Sequence, residues 1–374
     1  MNIERLDNGS IVHQVTDDEQ LKDNIYCERS YCTPDARWFV FQRQVSTMGP
    51  TQWHFTAEYI ACEFGTWQTR VLGVGHSYPE ISLRGGLYFA RPGTDVAREL
   101  VRVDMATGES RVVPVNGGVR PYTGMTISAD ERYLAYGVAL SFDPQMFGVE
   151  FVDLDTGERR IICEDPFISN PHTQIDPGDT HRVLVQQNRG CRFKPDGTVV
   201  TWLGEEGCTL FTVDAHNGAV APLQVGPPHT PSCTGHQQWI ADTHEVLLTA
   251  SSDPHRPGNL LTVCAGAPAH PVCEDDGFAH VHASVCGRLF CADRIRAGQI
   301  VVGAIATGRR AVICPCGPQT REIMAQYGQS AHAHAYLSPD ARWVVFNSCR
   351  PGRPQIHAAS IPHGLRSHLL DEAH

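Results

Sequence analysis

The sequence predicts an all-β fold: a seven-bladed β-propeller forming one domain over residues 1–374, its last blade closed by an N-terminal strand. Three observations predict it. A short pattern recurs seven times: a small or polar residue, often Pro or Ala with Asp, a polar pair, then a β-rich run. A second strand pair, built on a Thr-Gly or Asn-Gly turn, follows several of the copies. The last copy is one strand short, and a spare strand stands near the N-terminus.

The first pattern reads TPDARWFVF from Thr33, a degenerate SLRGGLYFA from Ser82, and SADERYLAY from Ser128. It continues as DPGDTHRVLV from Asp176, IADTHEVLLT from Ile240, SVCGRLFCAD from Ser284 and SPDARWVVF from Ser338. The starting points are separated by 49, 46, 48, 64, 44 and 54 residues. Propeller blades are four-stranded sheets of about 40–50 residues, so seven such units fit that architecture. The second pattern appears in VDMATGESRVV, VDLDTGERRII, VDAHNGAVAPL and GAIATGRRAVI, and turns of that chemistry favour hairpins. Each unit thus holds two strands around an Asp turn and two around a Gly turn. The last unit ends with its third strand, PQIHAASIP, and the segment SIVHQVT is the strand that completes it. Closure of that kind removes exposed sheet edges. An open all-β array or a pair of sandwiches is the alternative reading of the same strands.

Composition agrees with a packed domain. The chain has 374 residues, 41% of them hydrophobic, with Gly 34 and Pro 25 supplying turns. Lys+Arg 30 against Asp+Glu 41 gives a net charge of −11, which argues against nucleic acid as a partner. An anionic ligand would need a local cationic pocket or a metal. No apolar run approaches the roughly 20 residues that span a bilayer, and MNIERLDNGS is too polar for a signal peptide. The expectation is a cytoplasmic protein with no membrane partner. Its 14 cysteines then read as reduced thiols, mostly small core residues of strands such as YIACEF and RLFCAD. The pair Cys314 and Cys316 has no second pair at zinc-site spacing.

The 19 histidines carry the functional signal through their placement. The residues four before the seven starting points are Arg29, Tyr78, Gly124, His172, His236, His280 and His334. Four consecutive units thus place His at one equivalent position, and such blade-entry positions converge on a propeller's central channel. His282 and His332 lie two residues to either side of it and share its face by strand alternation. In GQSAHAHAY, His332 and His334 flank one alanine, so on an extended chain both rings point the same way. Gln329 adds an oxygen ligand, and His280 of the neighbouring unit a third imidazole. A three-His, one-Gln site with open positions suits Mn, Fe, Ni or Zn rather than Ca. The alternative is a polar strand edge with solvated rings. His236, in TGHQQW, reads as a further ligand, a hydrogen-bond donor or a general base, or as a structural His packed beside Trp239. His172 has substrate contact and a structural role open to it. Arg29, and separately Arg189 and Arg192 in QNRGCRF, are candidate carboxylate clamps, or ordinary surface arginines.

Over most of its length, and with specific motifs in its second half, the chain resembles the oligogalacturonate lyases. These are cytoplasmic seven-bladed propellers acting late in pectin breakdown. The stretch QSAHAHAYLSPDARWVVFNSCRPGRPQIHAASIP is similar to the family's Gln-x-x-His-x-His metal motif and final blade. SCTGHQQW resembles the element that holds the family's base, and HVHASVCGRLFCAD the stretch with its other His ligand. The resemblance therefore implies a divalent metal, manganese, on His280, Gln329, His332 and His334, with His236 as base. It also implies β-elimination of a small anionic uronate oligosaccharide. The departures are Gln237 where the family has Glu, one extra residue, Gly235, before the His, and no arginine in GCTLFTVD where the family binds substrate. Arg189, Arg192 or Arg29 would then replace that contact. A metal-dependent hydrolase or isomerase, or a non-catalytic binding propeller, is the reading from other classes.

Overall fold

The computed structural model describes residues 2–47, 55–92, 97–251, 259–274, 277–317 and 319–371. Among them, thirty strands pair into antiparallel sheets, with two short α-helices, Arg321–Tyr327 and His363–Leu369, and one 3-10 turn. No helix is long and apolar enough to cross a membrane among these residues.

The recurring Asp turn explains why the strands form where they do. In five copies the starting hydroxyl (Thr33, Ser82, Ser128, Ser284 or Ser338) accepts the backbone N–H that opens the next strand, at 2.9–3.0 Å. The residue three positions after the start is left-handed in all five: Ala36, Gly85, Glu131, Gly287 and Ala341. Only the copies starting at Ser82 and Ser284 place glycine there, where glycine costs no Cβ strain.

The strands then fall into successive groups. The first contains Lys22–Asp23, Trp38–Thr47, Phe55–Glu63 and the start of Thr69–Ile81. The end of Thr69–Ile81 continues into the second, with Gly86–Ala90, Leu100–Asp104 and Ser110–Val113, so two groups share one seven-stranded sheet. The third contains Met125–Ile127, Tyr133–Phe142, Gln145–Asp153 and Arg159–Asp165. The fourth contains Gln174–Asp176, Asp179–Asn188, Cys208–Asp214 and Val220–Pro222. Between its second and third strands lies a separate hairpin, Arg192–Phe193 with Val199–Thr201, which accounts for the long spacing of this unit. The fifth contains Cys233–Trp239, Val246–Ala250, Leu260–Val263 and His270–Cys273; the sixth Phe278–Ala283, Leu289–Arg294, Gln299–Ala304 and Arg310–Pro315.

The last group contains Tyr336–Leu337, Trp343–Ser348 and Gln355–Ser360, and Ile11–Gln14 pairs with it through Val12↔Ala359, His13↔Ala358 and Gln14↔His357. Ile3–Arg5 adds a fifth strand outside Ile11–Gln14, which the sequence pattern did not indicate. All fourteen cysteines are free thiols, ten of them buried.

Apolar side chains pack between neighbouring groups. Leu289, Ile300 and Val302 meet Leu337, Val344 and Phe346 between the sixth and last groups. Tyr336, Val345 and Ile356 of the last group share a cluster with Phe39, Phe41 and Tyr59 of the first. The residue just after each starting point (Pro34, Leu83, Ala129, Pro177, Ala241, Val285 and Pro339) lines one small cavity of about 140 Å³. The other end of the inner strands opens on a larger cavity, of about 380 Å³.

Candidate metal centre and active site

Three histidines meet beside the larger cavity. The ligand atoms of His280, His332 and His334 all lie within 4.8 Å of one another, with His280 and His334 buried and His332 half-buried. His280 Nε2 is 3.0 Å from His332 Nδ1, and the His332 and His334 rings stack at 5.3 Å.

His280 is aimed by Asp293 on the adjacent strand. One carboxylate oxygen accepts the His280 backbone N–H at 2.8 Å, and the other accepts from Nδ1 at 2.9 Å. That bond fixes the tautomer and leaves Nε2 as the ligand atom, the usual outer-shell arrangement for a metal-binding histidine. Burial pushes the Asp293 carboxyl up, but His280 and the hydrogen bonds it accepts outweigh this and hold it at about 2. Asp293 therefore stays charged throughout the neutral range.

The His-Ala-His segment differs from the extended strand expected of it. The 3-10 turn Gly328–Ala331 leads into His332, the strand Tyr336–Leu337 begins only after it, and His334 is left-handed at φ 43. The rings come together because the backbone is pinned instead: Asn24 donates to the His334 carbonyl at 2.7 Å, and Asn347 to that of His332 at 3.0 Å. Backbone strain of this kind persists only where surrounding groups determine it.

His236 stands beside this trio, its ring 4.1 Å from that of His280. The extra residue before it, Gly235, has φ 86, and strand pairing slips between Cys233 and Gln237. This is a β-bulge, which re-aims the following side chain. A chain of hydroxyls then sets the His236 tautomer. Thr249 donates to the Ala279 carbonyl at 2.6 Å and accepts from Thr234, whose oxygen lies 3.0 Å from His236 Nδ1. Thr234 has spent its one proton, so Nδ1 carries the hydrogen and Nε2 keeps its lone pair. Burial first, then the charges of His280, His172, His334 and His332, push the His236 imidazole well below its ordinary value. It is therefore neutral at physiological pH, the form in which a general base acts, though the same burial weakens its proton affinity.

The cavity also brings in His172 and Gln329, with Tyr26, Tyr78 and Glu28. His172 Nδ1 is 2.7 Å from Glu28 Oε1. Gln329 lies in the 3-10 turn, beside His332 on the cavity wall. The three arginines read as clamps are elsewhere. Arg29 lines the smaller cavity, its guanidinium donating to Glu80 at 2.8 Å and to Thr126 at 2.9 Å. Arg189 is exposed and donates to Thr209 and Gln187, and Arg192 to Thr201 of the inserted hairpin. Among the described residues that line the larger cavity there is no Lys or Arg. His282 also lines the smaller cavity, its Nδ1 2.8 Å from the Cys27 carbonyl, one layer from His280 on the same strand.

The donor set fits a metal. His332 Nε2 and both ring nitrogens of His334 are buried without a hydrogen-bond partner. Each such atom costs about 1–3 kcal/mol when nothing satisfies it, and a cation satisfies it directly. Burial holds the His332 imidazole down to about 2 and also lowers that of His334, with His280 adding to both. Both are thus in the neutral form that metal ligation requires.

These features define an all-β protein of propeller-like architecture with a histidine metal-site candidate. In the solved structures that architecture is similar to two oligogalacturonate lyases. One, in complex with manganese, has a TM-score of 0.73 at 17% identity, over 98% of this chain and 97% of that one. The other, from Vibrio parahaemolyticus, has a TM-score of 0.71 at 18% identity, over 97% and 98%. The β-propeller domain of a Swd1 protein from Myceliophteria thermophila is more distant, at 0.51 and 13% identity over 91% and 97%. At these identities the likeness establishes the fold. No protein-family model and no curated protein matches the sequence.

Proposed function

We propose that this chain is a single seven-bladed β-propeller that cleaves oligogalacturonate, or a related uronate oligosaccharide, by metal-dependent β-elimination. The seven equivalent turn residues around one small cavity, and the apolar cluster joining last group to first, support the ring. The observation that carries the activity is the pairing of two chemistries on one cavity wall. Three histidines hold unpartnered or carboxylate-oriented nitrogens within metal-ligand reach, and a fourth has its proton fixed on Nδ1 and its Nε2 bare.

In uronate elimination the difficult step is removing the proton beside the carboxylate. His280, His332, His334 and Gln329 would hold a divalent cation, which we take to be Mn²⁺, and it would supply Lewis-acid stabilisation of charge on that carboxylate. His236 Nε2 takes the C5 proton, the C4–O bond breaks, and a C4–C5 double bond forms. His172 contacts the substrate. Burial keeps His236 neutral, and Thr234 holds its ring in place.

The test is absorbance near about 230 nm, the band of conjugated unsaturated uronates, over a panel of 4-linked diuronates with Mn²⁺ or chelator. A metal-dependent rise on one member supports the reading and names the substrate. A flat trace across the panel, with metal bound, overturns it. His236→Ala is expected to lower turnover by about 10²–10⁴-fold with metal content intact. Loss of metal in that variant would make His236 a ligand.

A further inference from the structure

Elimination leaves the second proton unaccounted for. The departing C4 oxygen is a poor leaving group unless something protonates it as the bond breaks. In a uronate of the galacto configuration the C5 hydrogen and the C4 oxygen lie on opposite faces of the ring. One side chain cannot then take the first proton and supply the second. A donor is needed on a different wall from His236.

We infer that His172 is that donor, a general acid oriented by Glu28; the inference rests on the lyase reading. His172 and His236 stand at the same position of successive strand groups, and both line the larger cavity. Glu28 reaches His172 from the first group, and its Oε1 lies 2.7 Å from Nδ1. A carboxylate on Nδ1 leaves Nε2 to exchange a proton with substrate and steadies the ring in either charge state. Asn170 Nδ2 donates to His172 Nε2 at 2.9 Å in the neutral ring; in the imidazolium form that an acid requires, Nε2 carries a hydrogen and gives up this contact for the substrate oxygen.

The backbone supports an assigned orientation. His172 is left-handed at φ 43, the value His334 adopts at the equivalent position of the last group. The ring is also packed at 5.6 Å against Tyr26, which in turn meets His334 at 4.6 Å and His280 at 6.4 Å. One tyrosine thus separates the proton donor from the metal ligands. The phenols in the cavity are poorer candidates, because burial raises Tyr26, Tyr31 and Tyr78 well above their ordinary values and Tyr122 to about 12.

The step balances. The C5 hydrogen leaves as a proton to His236 Nε2, and its electron pair forms the C4–C5 double bond. The C4–O pair departs on oxygen, which takes the His172 Nε2 proton. Solvent then removes one proton from His236 and returns one to His172. No oxidant or reductant enters.

The test changes the leaving group. The Mn²⁺-loaded wild type and the variants His172→Gln and Glu28→Gln are assayed on the diuronate panel and on the matching 4-deoxy-4-fluoro uronates. Fluoride departs without a proton. For His172→Gln the expected result is a fall in kcat of about 10²–10⁴-fold on the glycoside, against a few-fold at most on the fluoride. Glu28→Gln, a positioning change, should reproduce the same selective loss at smaller size, in kcat rather than KM. Equal loss on both leaving groups, or no loss on the glycoside, overturns the assignment while the lyase reading stands. A wild type that forms unsaturated product from neither substrate overturns both.

Discussion

The two ends of the inner strands are built from one repeat and have become different surfaces. At the turn end, seven equivalent residues close around a cavity of about 140 Å³, and the hydroxyl–amide bond of the Asp turn recurs from group to group. At the entry end, equivalent positions hold Tyr78, Gly124, His172 and His236 around about 380 Å³, with His280 and His334 in the adjoining histidine cluster. The strand Phe278–Ala283 shows the contrast in three residues. His280 is clamped by Asp293 and presents Nε2 to the histidine cluster, whereas His282 bonds a carbonyl and faces the small cavity. A repeated backbone makes positions equivalent, but the neighbour that takes the ring proton decides what each histidine does.

The largest effect expected from breaking this comparison lies at the entry end. His334→Ala removes a ligand with no hydrogen bond from either ring nitrogen. Metal affinity should fall more than about 100-fold and turnover should be lost with it. The metal-free fold should tolerate the change, because an unsatisfied buried polar group contributes nothing to stability without its ligand. Metal titration and thermal unfolding with chelator, run on the same variant, check both halves. A metal-free variant that unfolds far below the metal-free wild type would make His334 a structural residue.

A middling effect separates the ends by pH. Burial drops His282 from the usual value to about 4, and His357 likewise. As pH falls below about 6.5 the unfolded chain takes up protons that the folded chain refuses, so stability declines with acidification. For His282 alone this amounts to roughly 2 kcal/mol by pH 5. His282→Gln should make the acid limb of a chelator-treated melting curve shallower by this one group's share, with His236, His332, His334 and His357 keeping theirs, and leave metal binding unchanged. An unaltered acid limb would mean that His282 does not refuse the proton.

Legibility in the sequence follows the same division. The Asp and Gly turns are local, a few residues long and repeated, so their spacing predicted the strand groups and the N-terminal strand that pairs with the last. The histidines were legible because equivalent positions can be counted from those turns. The residues that orient them were not: Asn24 and Glu28 act across groups, Asp293 and Asn347 from a neighbouring strand of the same group, and no local spacing marks any of them. Asp293 left the one available trace, a charged residue closing the otherwise apolar RLFCAD. Arg29 shows the limit of counting. It occupies the right position, but its guanidinium is taken up by buried Glu80 and by Thr126, and the residue lines the smaller cavity, not the larger. Gly235 was visible as an extra residue, yet only the pairing slip at Gln237 reveals it as the bulge that sets His236.

The smallest expected effect sharpens the comparison from the turn end. Ser128 is buried; its hydroxyl accepts the Tyr133 N–H at 2.9 Å and donates to Asp130. Ser128→Ala leaves that amide without its side-chain acceptor, in a turn where Glu131 is already left-handed. The expected cost is about 1 kcal/mol, a melting shift of about 2 °C, because the neutral bond to the amide is worth little net of its exchange with water and exposed Asp130 takes water in place of the hydroxyl. Turnover and metal affinity should match the wild type, since the turn lies at the far end of its strands from the histidines. Thermal unfolding and metal titration of Ser128→Ala check this. If the substitution weakened metal binding, the two ends would be mechanically coupled through the inner strands, and the separation of scaffold from site would fail.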